Sequence, residues 1–77
     1  MNKKVRAELM FVFSQLHTHH LKLVPQEIIN EAKSDFDEEV FFNLDRSKPF
    51  TEQDLSEETF EILHDVFSKY ADIDFED

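Results

Sequence analysis

The longest run of apolar positions extends from Val5 to Val24 and predicts one long amphipathic helix that the rest of the chain packs around. With successive residues placed about 100° apart, its apolar side chains cover nearly half of the helix circumference. Because the stripe on an ordinary surface helix is narrower, we expect this helix to be covered from two sides, either at the centre of a small bundle or against a second copy of the chain. The stripe consists of Val5, Leu9, Met10, Val12, Phe13, Leu16, Leu21, Leu23 and Val24.

The opposite face of this helix is polar and is expected to face solvent. It carries Lys4, Glu8, Gln15 and Lys22. Phe11 projects into this polar face, which predicts either an ordinary exposed aromatic side chain or part of a contact surface.

The middle of the chain predicts two shorter helices. Pro25 ends the first helix or begins the next, and a short apolar face predicts a second helix at about 26–33. Ser34 is then the expected N-cap of a third helix that continues to Leu44, with acidic residues in its first turn. One continuous helix over 26–44 and a strand over 40–44 are the competing interpretations of this region.

The final third of the sequence predicts a linker, a single turn and a last helix. Residues 45–49 form a polar linker, in which Pro49 disfavours helix at the preceding residue. Residues 50–54 predict one turn fixed to the core by Phe50, Ser56 is the expected N-cap of the last helix, and the acidic residues 72–77 are expected to fray. The predicted fold is all-α: a small compact bundle of three to five helices, with long amphipathic helices at the two ends and shorter helices between.

Composition restricts the chemistry that this chain is expected to perform. Its 77 residues predict one domain and include neither Cys nor Gly. The lack of Cys excludes disulfides and thiolate sites, and the lack of Gly disfavours phosphate-binding loops, dinucleotide-binding turns and nucleophile elbows. We therefore expect a protein that is not an enzyme and has no cofactor.

Charge is distributed unevenly along the chain. The formal net charge is −10, yet residues 1–23 hold four bases and one acid, whereas residues 24–77 hold four bases and seventeen acids. This excess of acids disfavours direct binding to nucleic acid, whose affinity comes largely from phosphate neutralisation. Glu8 interrupts the first apolar run, which disfavours a secretory signal peptide. No stretch reaches the length of a membrane span, so a cytoplasmic protein is the default expectation.

Three histidines are weak candidates for a metal site. His17 and His20 lie three residues apart on the predicted first helix, a spacing that transition metals use, and His64 is the remaining candidate ligand. The competing interpretation is a histidine at the core or its rim that is hydrogen-bonded to a carboxylate or a backbone carbonyl. The acids of residues 72–77 alternate as in the start of an EF-hand loop, but they lack its Gly and its final Glu.

The acidic faces of the third and last helices are the candidate binding surface. Like charges at i, i+4 destabilise a helix slightly, and a sequence optimised only for stability would place Lys among them. An acidic stripe without interspersed Lys is suited to steering a basic partner towards the helix. Solubility alone also explains the stripe. The aromatic anchors are expected among Phe11, Phe41, Phe42 and Phe75. The acids are Asp35, Asp37, Glu38 and Glu39 on the third helix, and Glu57, Glu58, Glu61 and Asp65 on the last.

The leading functional hypothesis is a non-enzymatic module that binds, and thereby inhibits or regulates, a basic protein through this acidic helical face. A narrower hypothesis is mimicry of DNA, with carboxylates in place of phosphates. A third hypothesis is a structural homodimer subunit, in which a second copy would complete the broad face of the first helix. The fourth is a histidine-based metal-binding protein.

Overall fold

Helices and the segments that connect them make up the computed structural model, which describes residues 1–68 and contains no strand among them. The predicted all-α class is confirmed for this part of the chain. The elements are α1 (Lys3–Gln15), α2 (Thr18–Leu21), α3 (Gln26–Ser34), α4 (Glu38–Asn43), a 3₁₀ helix (Phe50–Glu52) and α5 (Glu57–Ser68). None of these residues adopts a positive φ, so the described turns do not require glycine.

The predicted long helix over Val5–Val24 is wrong, because the chain breaks between α1 and α2. Leu16 and His17 have extended backbone conformations, with ψ of 147° and 153°. Residues 17–20 read His-Thr-His-His, all of which are weak helix formers, so this stretch has little intrinsic tendency to continue the helix. The chain forms only the single turn of α2 before Pro25.

α1 is the central element of the described fold. Its principal contacts are with α3, α4, α5 and the 3₁₀ helix. Coverage from several directions leaves Phe11 fully buried, so the prediction that this ring is exposed or available for contact is wrong. The buried residues of α1 are Val5, Ala7, Glu8, Leu9, Phe11, Val12 and Phe13.

The two shorter helices are separate, as in the favoured prediction, although α4 begins later than expected. α3 starts directly after Pro25, whereas Asp35 has a non-helical conformation (φ −162°, ψ 67°) that interrupts the helix. The N-cap of α4 is Asp37, not Ser34, and its carboxylate accepts hydrogen bonds from the backbone N–H groups of Glu39 at 3.1 Å and Val40 at 3.3 Å. The continuous helix over 26–44 and the strand over 40–44 are therefore both wrong.

The connection between α3 and α4 is attached to the start of α1. The backbone N–H of Asp37 donates to the carbonyl of Lys3 at 3.2 Å, and the Lys3 ammonium lies 3.6 Å from the Asp35 carboxylate. One turn further along, the Arg6 guanidinium donates to the Ser34 hydroxyl at 3.3 Å. These contacts place the first turn of α4 beside the N-terminus of α1.

The other end of α1 holds the segment around Pro49. The side-chain amide of Gln15 donates to the carbonyl of Lys48 at 2.9 Å and accepts from the N–H of Phe50 at 2.7 Å. Since proline has no N–H, this one amide satisfies the polar backbone groups on either side of it. Phe50 is buried in the core, as predicted from its position after the linker.

The described residues form one hydrophobic core that joins α1 to the segments following it in sequence. Besides α1, the core receives side chains from the end of the α2–α3 connection, from α3, from the 3₁₀ helix, from the segment before α5 and from α5 itself. These residues are Val24, Ala32, Phe50, Leu55, Leu63, Val66 and Phe67.

Candidate functional site

The exposed side of α5 carries the acidic residues predicted for the last helix. Glu57, Glu58, Glu61 and Asp65 are all solvent-exposed, and we refer to them as the α5 acidic stripe. Glu57, Glu61 and Asp65 recur every four residues, so they lie along one edge of the helix. Such an arrangement presents a concentrated negative potential to solvent.

A buried carboxylate on α1 positions the start of α5. Glu8 is only 1% exposed, and its Oε1 accepts a hydrogen bond of 2.6 Å from the Thr59 hydroxyl. Its two oxygens also lie 3.2 and 3.1 Å from the backbone nitrogen of Ser56, which donates to them. Glu8 therefore caps the N-terminus of α5 from another helix, where a negative charge also complements the helix dipole.

The prediction that Glu8 faces solvent is wrong for this reason. Glu8, Phe11 and Gln15 share the side of α1 that the apolar pattern assigned to water, and its two polar residues contact the segment from Lys48 to Thr59 instead. A large aromatic residue between two polar ones was the available signal that another part of the chain covers this face.

Two of the acids around α4 have contacts within the fold, and the other two are exposed in the first turn of the helix. Asp35 is paired with Lys3, and Asp37 is the N-cap of α4. Glu38 and Glu39 are exposed in the first turn. Two of the four acids predicted for this surface therefore have identifiable structural roles, and Glu38 and Glu39 are the stronger candidates for contact with a partner.

Aromatic rings lie directly beside these two glutamates. Phe42 is 69% exposed, and its ring packs edge-on against Phe41 with centroids 5.2 Å apart. Phe41 is half-buried, also contacts Phe36 at 5.5 Å, and has the Arg46 guanidinium 5.3 Å from its centroid. The exposed ring of Phe42 thus packs against Phe41, which is itself in contact with Phe36 and Arg46. We refer to Glu38, Glu39, Phe41 and Phe42 as the α4 surface.

The predicted site residues lie on two separate helices: one group is on or beside α4, and the other is on α5. α4 and α5 each pack on α1, and the principal contacts among the described helices all involve α1. Of the remaining predicted anchors, Phe11 is buried in the core, and Phe75 lies outside the described residues.

An apolar groove that the sequence did not reveal is lined in part by α5, the helix that carries the acidic stripe. It has a volume of about 340 Å³ and lies between the 3₁₀ helix and α5. Phe60, on its rim, is 39% exposed. The lining residues are Phe50, Thr51, Phe60, Leu63 and His64. They come from two separate segments of the chain, which explains why the pattern along one helix could not predict the groove.

The candidate metal-binding histidines do not form a ligand cluster. His17 is exposed, His20 is half-buried with its ring centroid 6.0 Å from that of His17, and His64 lies on α5 beside the groove. Within residues 1–68, no group of three or more His, Cys, Asp or Glu side chains is arranged to hold a metal ion. The sequence resembling an EF-hand start, at 72–77, lies outside the described residues.

Asp45 has a perturbed pKa that arises from a local turn. The Ser47 hydroxyl donates to its carboxylate at 2.6 Å, the Ser47 backbone N–H donates at 2.9 Å, and these hydrogen bonds hold the pKa of Asp45 below its ordinary value. The residue is exposed in the connection after α4, so the shift reflects turn formation and does not indicate a catalytic carboxyl.

Comparison with known protein families, characterised proteins and solved structures gives no match. In the described part of the chain, no helix has both the length and the apolar character needed to cross a membrane.

Proposed function

We propose that the protein is a non-enzymatic binding module that recognises a basic protein through acidic helical surfaces with aromatic anchors, and that it inhibits or regulates that partner. The observation that carries this proposal is the position of the exposed aromatic rings. Apart from Met1, the exposed large apolar side chains within residues 1–68 are Phe42 and Phe60, and both belong to helices with exposed glutamates.

Solubility alone accounts for the acids but not for these rings. A helix turn places Phe42 next to Glu38, and Phe60 lies within one turn of Glu57 and Glu61. Protein interfaces commonly combine an aromatic anchor, which supplies affinity when its surroundings lose water, with a charged rim that steers encounter. The two α5 glutamates beside Phe60 fit that combination with a Lys- or Arg-rich partner.

The proposal is tested by comparing capture of proteins from a lysate of the source cells by variants that carry the same charge change. Glu57→Lys/Glu61→Lys reverses two exposed acids on α5, one in the first turn and one four residues later. Glu27→Lys/Glu31→Lys makes the same change at the corresponding spacing on α3 and serves as the control. We expect the α5 variant to lose a basic partner that the wild-type protein and the α3 variant retain.

Salt and competition identify the type of contact. Capture that weakens from low to high salt supports electrostatic recognition, since exposed charges are screened over about 10 Å at 0.1 M salt. Competition by added duplex DNA would assign the partner to nucleic-acid-binding proteins, as the hypothesis of DNA mimicry requires. Equal capture of basic proteins by the α5 and α3 variants, both folded by circular dichroism, would refute recognition through α5.

A second copy of the chain is a different candidate partner. The breadth of the apolar face of the first helix favours a homodimer, but α1 is covered within a single chain, where Leu9 and Val12 have no exposed surface. Light scattering at several concentrations tests the homodimer hypothesis directly, because a dimer would double the apparent mass.

A further inference from the structure

We infer that the groove between the 3₁₀ helix and α5 receives an apolar side chain from a cationic amphipathic helix of the basic partner. This inference rests on the proposed function and assigns one contact within it. The groove would hold the anchor residue, while Lys or Arg side chains one turn away on the partner would meet the glutamates at its edges.

The shape and lining of the groove suit a side chain better than a cofactor. Its volume of 340 Å³ lies at the lower end of the range of about 300–1,000 Å³ for small-molecule sites. Phe50, Phe60 and Leu63 supply its apolar lining, and Thr51 and His64 contribute polar atoms. A Leu, Ile or Met side chain inserted here would bury the exposed part of Phe60.

Acidic residues are exposed on both helices that line the groove. Glu52 is exposed at the end of the 3₁₀ helix, and Glu57 is exposed on α5. From the helical period, Glu57 and Glu61 lie about 60° and 100° around the α5 axis from Phe60. An apolar pocket between two helices that both expose carboxylates is complementary to an apolar residue flanked by cations, and it disfavours an acidic segment.

Contacts with α1 hold both walls of the groove in place. Gln15 accepts from the N–H of Phe50 at 2.7 Å at the start of the 3₁₀ helix, and Glu8 accepts from the Thr59 hydroxyl at 2.6 Å, next to Phe60. A pocket that is formed before binding avoids part of the ordering cost of association. Binding of an amphipathic helix with its apolar face in a hydrophobic groove is a recurrent mode of peptide recognition.

The inference is tested with a synthetic amphipathic helical peptide of Leu and Lys as the probe. Binding is measured by titration calorimetry, and its position is mapped by amide chemical shifts of the wild-type protein. Thr51→Trp fills the groove without altering charge, and Thr18→Trp places the same residue at an exposed position on α2 as the control. We expect Thr51→Trp to weaken binding about tenfold or more, because an apolar side chain is no longer buried, and Thr18→Trp to leave it unchanged.

A second pair of variants separates this inference from the proposed function. If Glu57→Lys/Glu61→Lys weakens peptide binding and Thr51→Trp does not, recognition by the α5 acidic stripe stands and insertion into the groove is refuted. If neither variant differs from its control, both ideas fail at α5. Failure of the peptide to bind, or shifts confined to residues away from the groove, would also overturn the inference.

Discussion

Removal of the buried Glu8 carboxylate is the most informative test of how this fold is held together. Glu8→Ala deletes the acceptor of the Thr59 hydroxyl and of the Ser56 backbone N–H, and Thr59 is itself fully buried. Water cannot readily replace the lost acceptor at such a site. The Thr59 hydroxyl is therefore left unsatisfied in the interior, and the partly buried Ser56 N–H loses its acceptor at the start of α5, in addition to the loss of the side-chain packing.

The expected cost follows from the number and type of these hydrogen bonds. A hydrogen bond to a charged group contributes roughly 1.5–3 kcal/mol, so two donors give about 3–6 kcal/mol. Relief from burying the charge offsets part of this, and we expect a net loss of about 2–4 kcal/mol in the free energy of unfolding. For a domain of this length the whole free energy of unfolding is on the order of 4–12 kcal/mol, so Glu8→Ala should remove a large share of it.

Urea denaturation followed by far-ultraviolet circular dichroism measures this loss, and exchange of the Ser56 amide hydrogen reports on the cap itself. Glu31→Ala, at an exposed position on α3, is the control and should change stability by no more than about 0.5 kcal/mol. Thr59→Val removes the hydroxyl donor at nearly constant shape. In a double-mutant cycle with Glu8→Ala, it should show a coupling energy within the range of about 0.5–3 kcal/mol.

Two results would refute the reasoning. One is a Glu8→Ala protein as stable as Glu31→Ala, which would mean that the carboxylate gains nothing from its buried partners. The other is strict additivity of Glu8→Ala and Thr59→Val, which would show that the contact of 2.6 Å contributes no interaction energy.

Three further predictions concern other parts of the chain. Asp37→Ala should cost about 1 kcal/mol in urea denaturation, because it removes the N-cap of α4, and an unchanged midpoint would contradict that role. Ser47→Ala should raise the pKa of Asp45, measured by NMR titration, since the Ser47 hydroxyl is the main cause that lowers it. The stability from that lowered pKa is present above the ordinary pKa of aspartate and is lost as pH falls below about 4, so the variant should show a smaller loss there. Phe11→Ala should destabilise the fold by about 3–5 kcal/mol, whereas Phe42→Ala should change stability by no more than about 0.5 kcal/mol; equal effects would contradict their different burial.

The sequence predicted the helical class and several boundaries because these depend on local chemistry. Pro25 marks the start of α3, and the residues after Ser56 begin α5, as expected from proline and capping preferences. The break after Gln15 was missed because the apolar positions keep their helical spacing through His17 and beyond. Spacing identifies a face, but weak helix formers within the run determine whether the helix continues.

The candidate surface was predictable only in part, since exposure depends on contacts between distant residues. Periodicity placed Glu57 and Glu61 on a polar face, and both are exposed. The same reasoning placed Glu8 in solvent, although Thr59, 51 positions later, covers it. The groove beside Phe60 likewise exists only after the 3₁₀ helix has been brought against α5.

The absence of positive φ angles among residues 1–68 has a consequence for the unfolded state. A backbone that needs no left-handed residue can dispense with glycine, and this sequence does. Glycine widens the range of conformations open to an unfolded chain, and replacing it with alanine at a compatible position typically gains about 0.4–1 kcal/mol. A chain of 77 residues, with limited apolar surface to bury, thus gains stability from its stiffness before folding. Introducing glycine at an exposed position inside α1 or α5 would lower the stability of the protein even where the replaced side chain contacts only water.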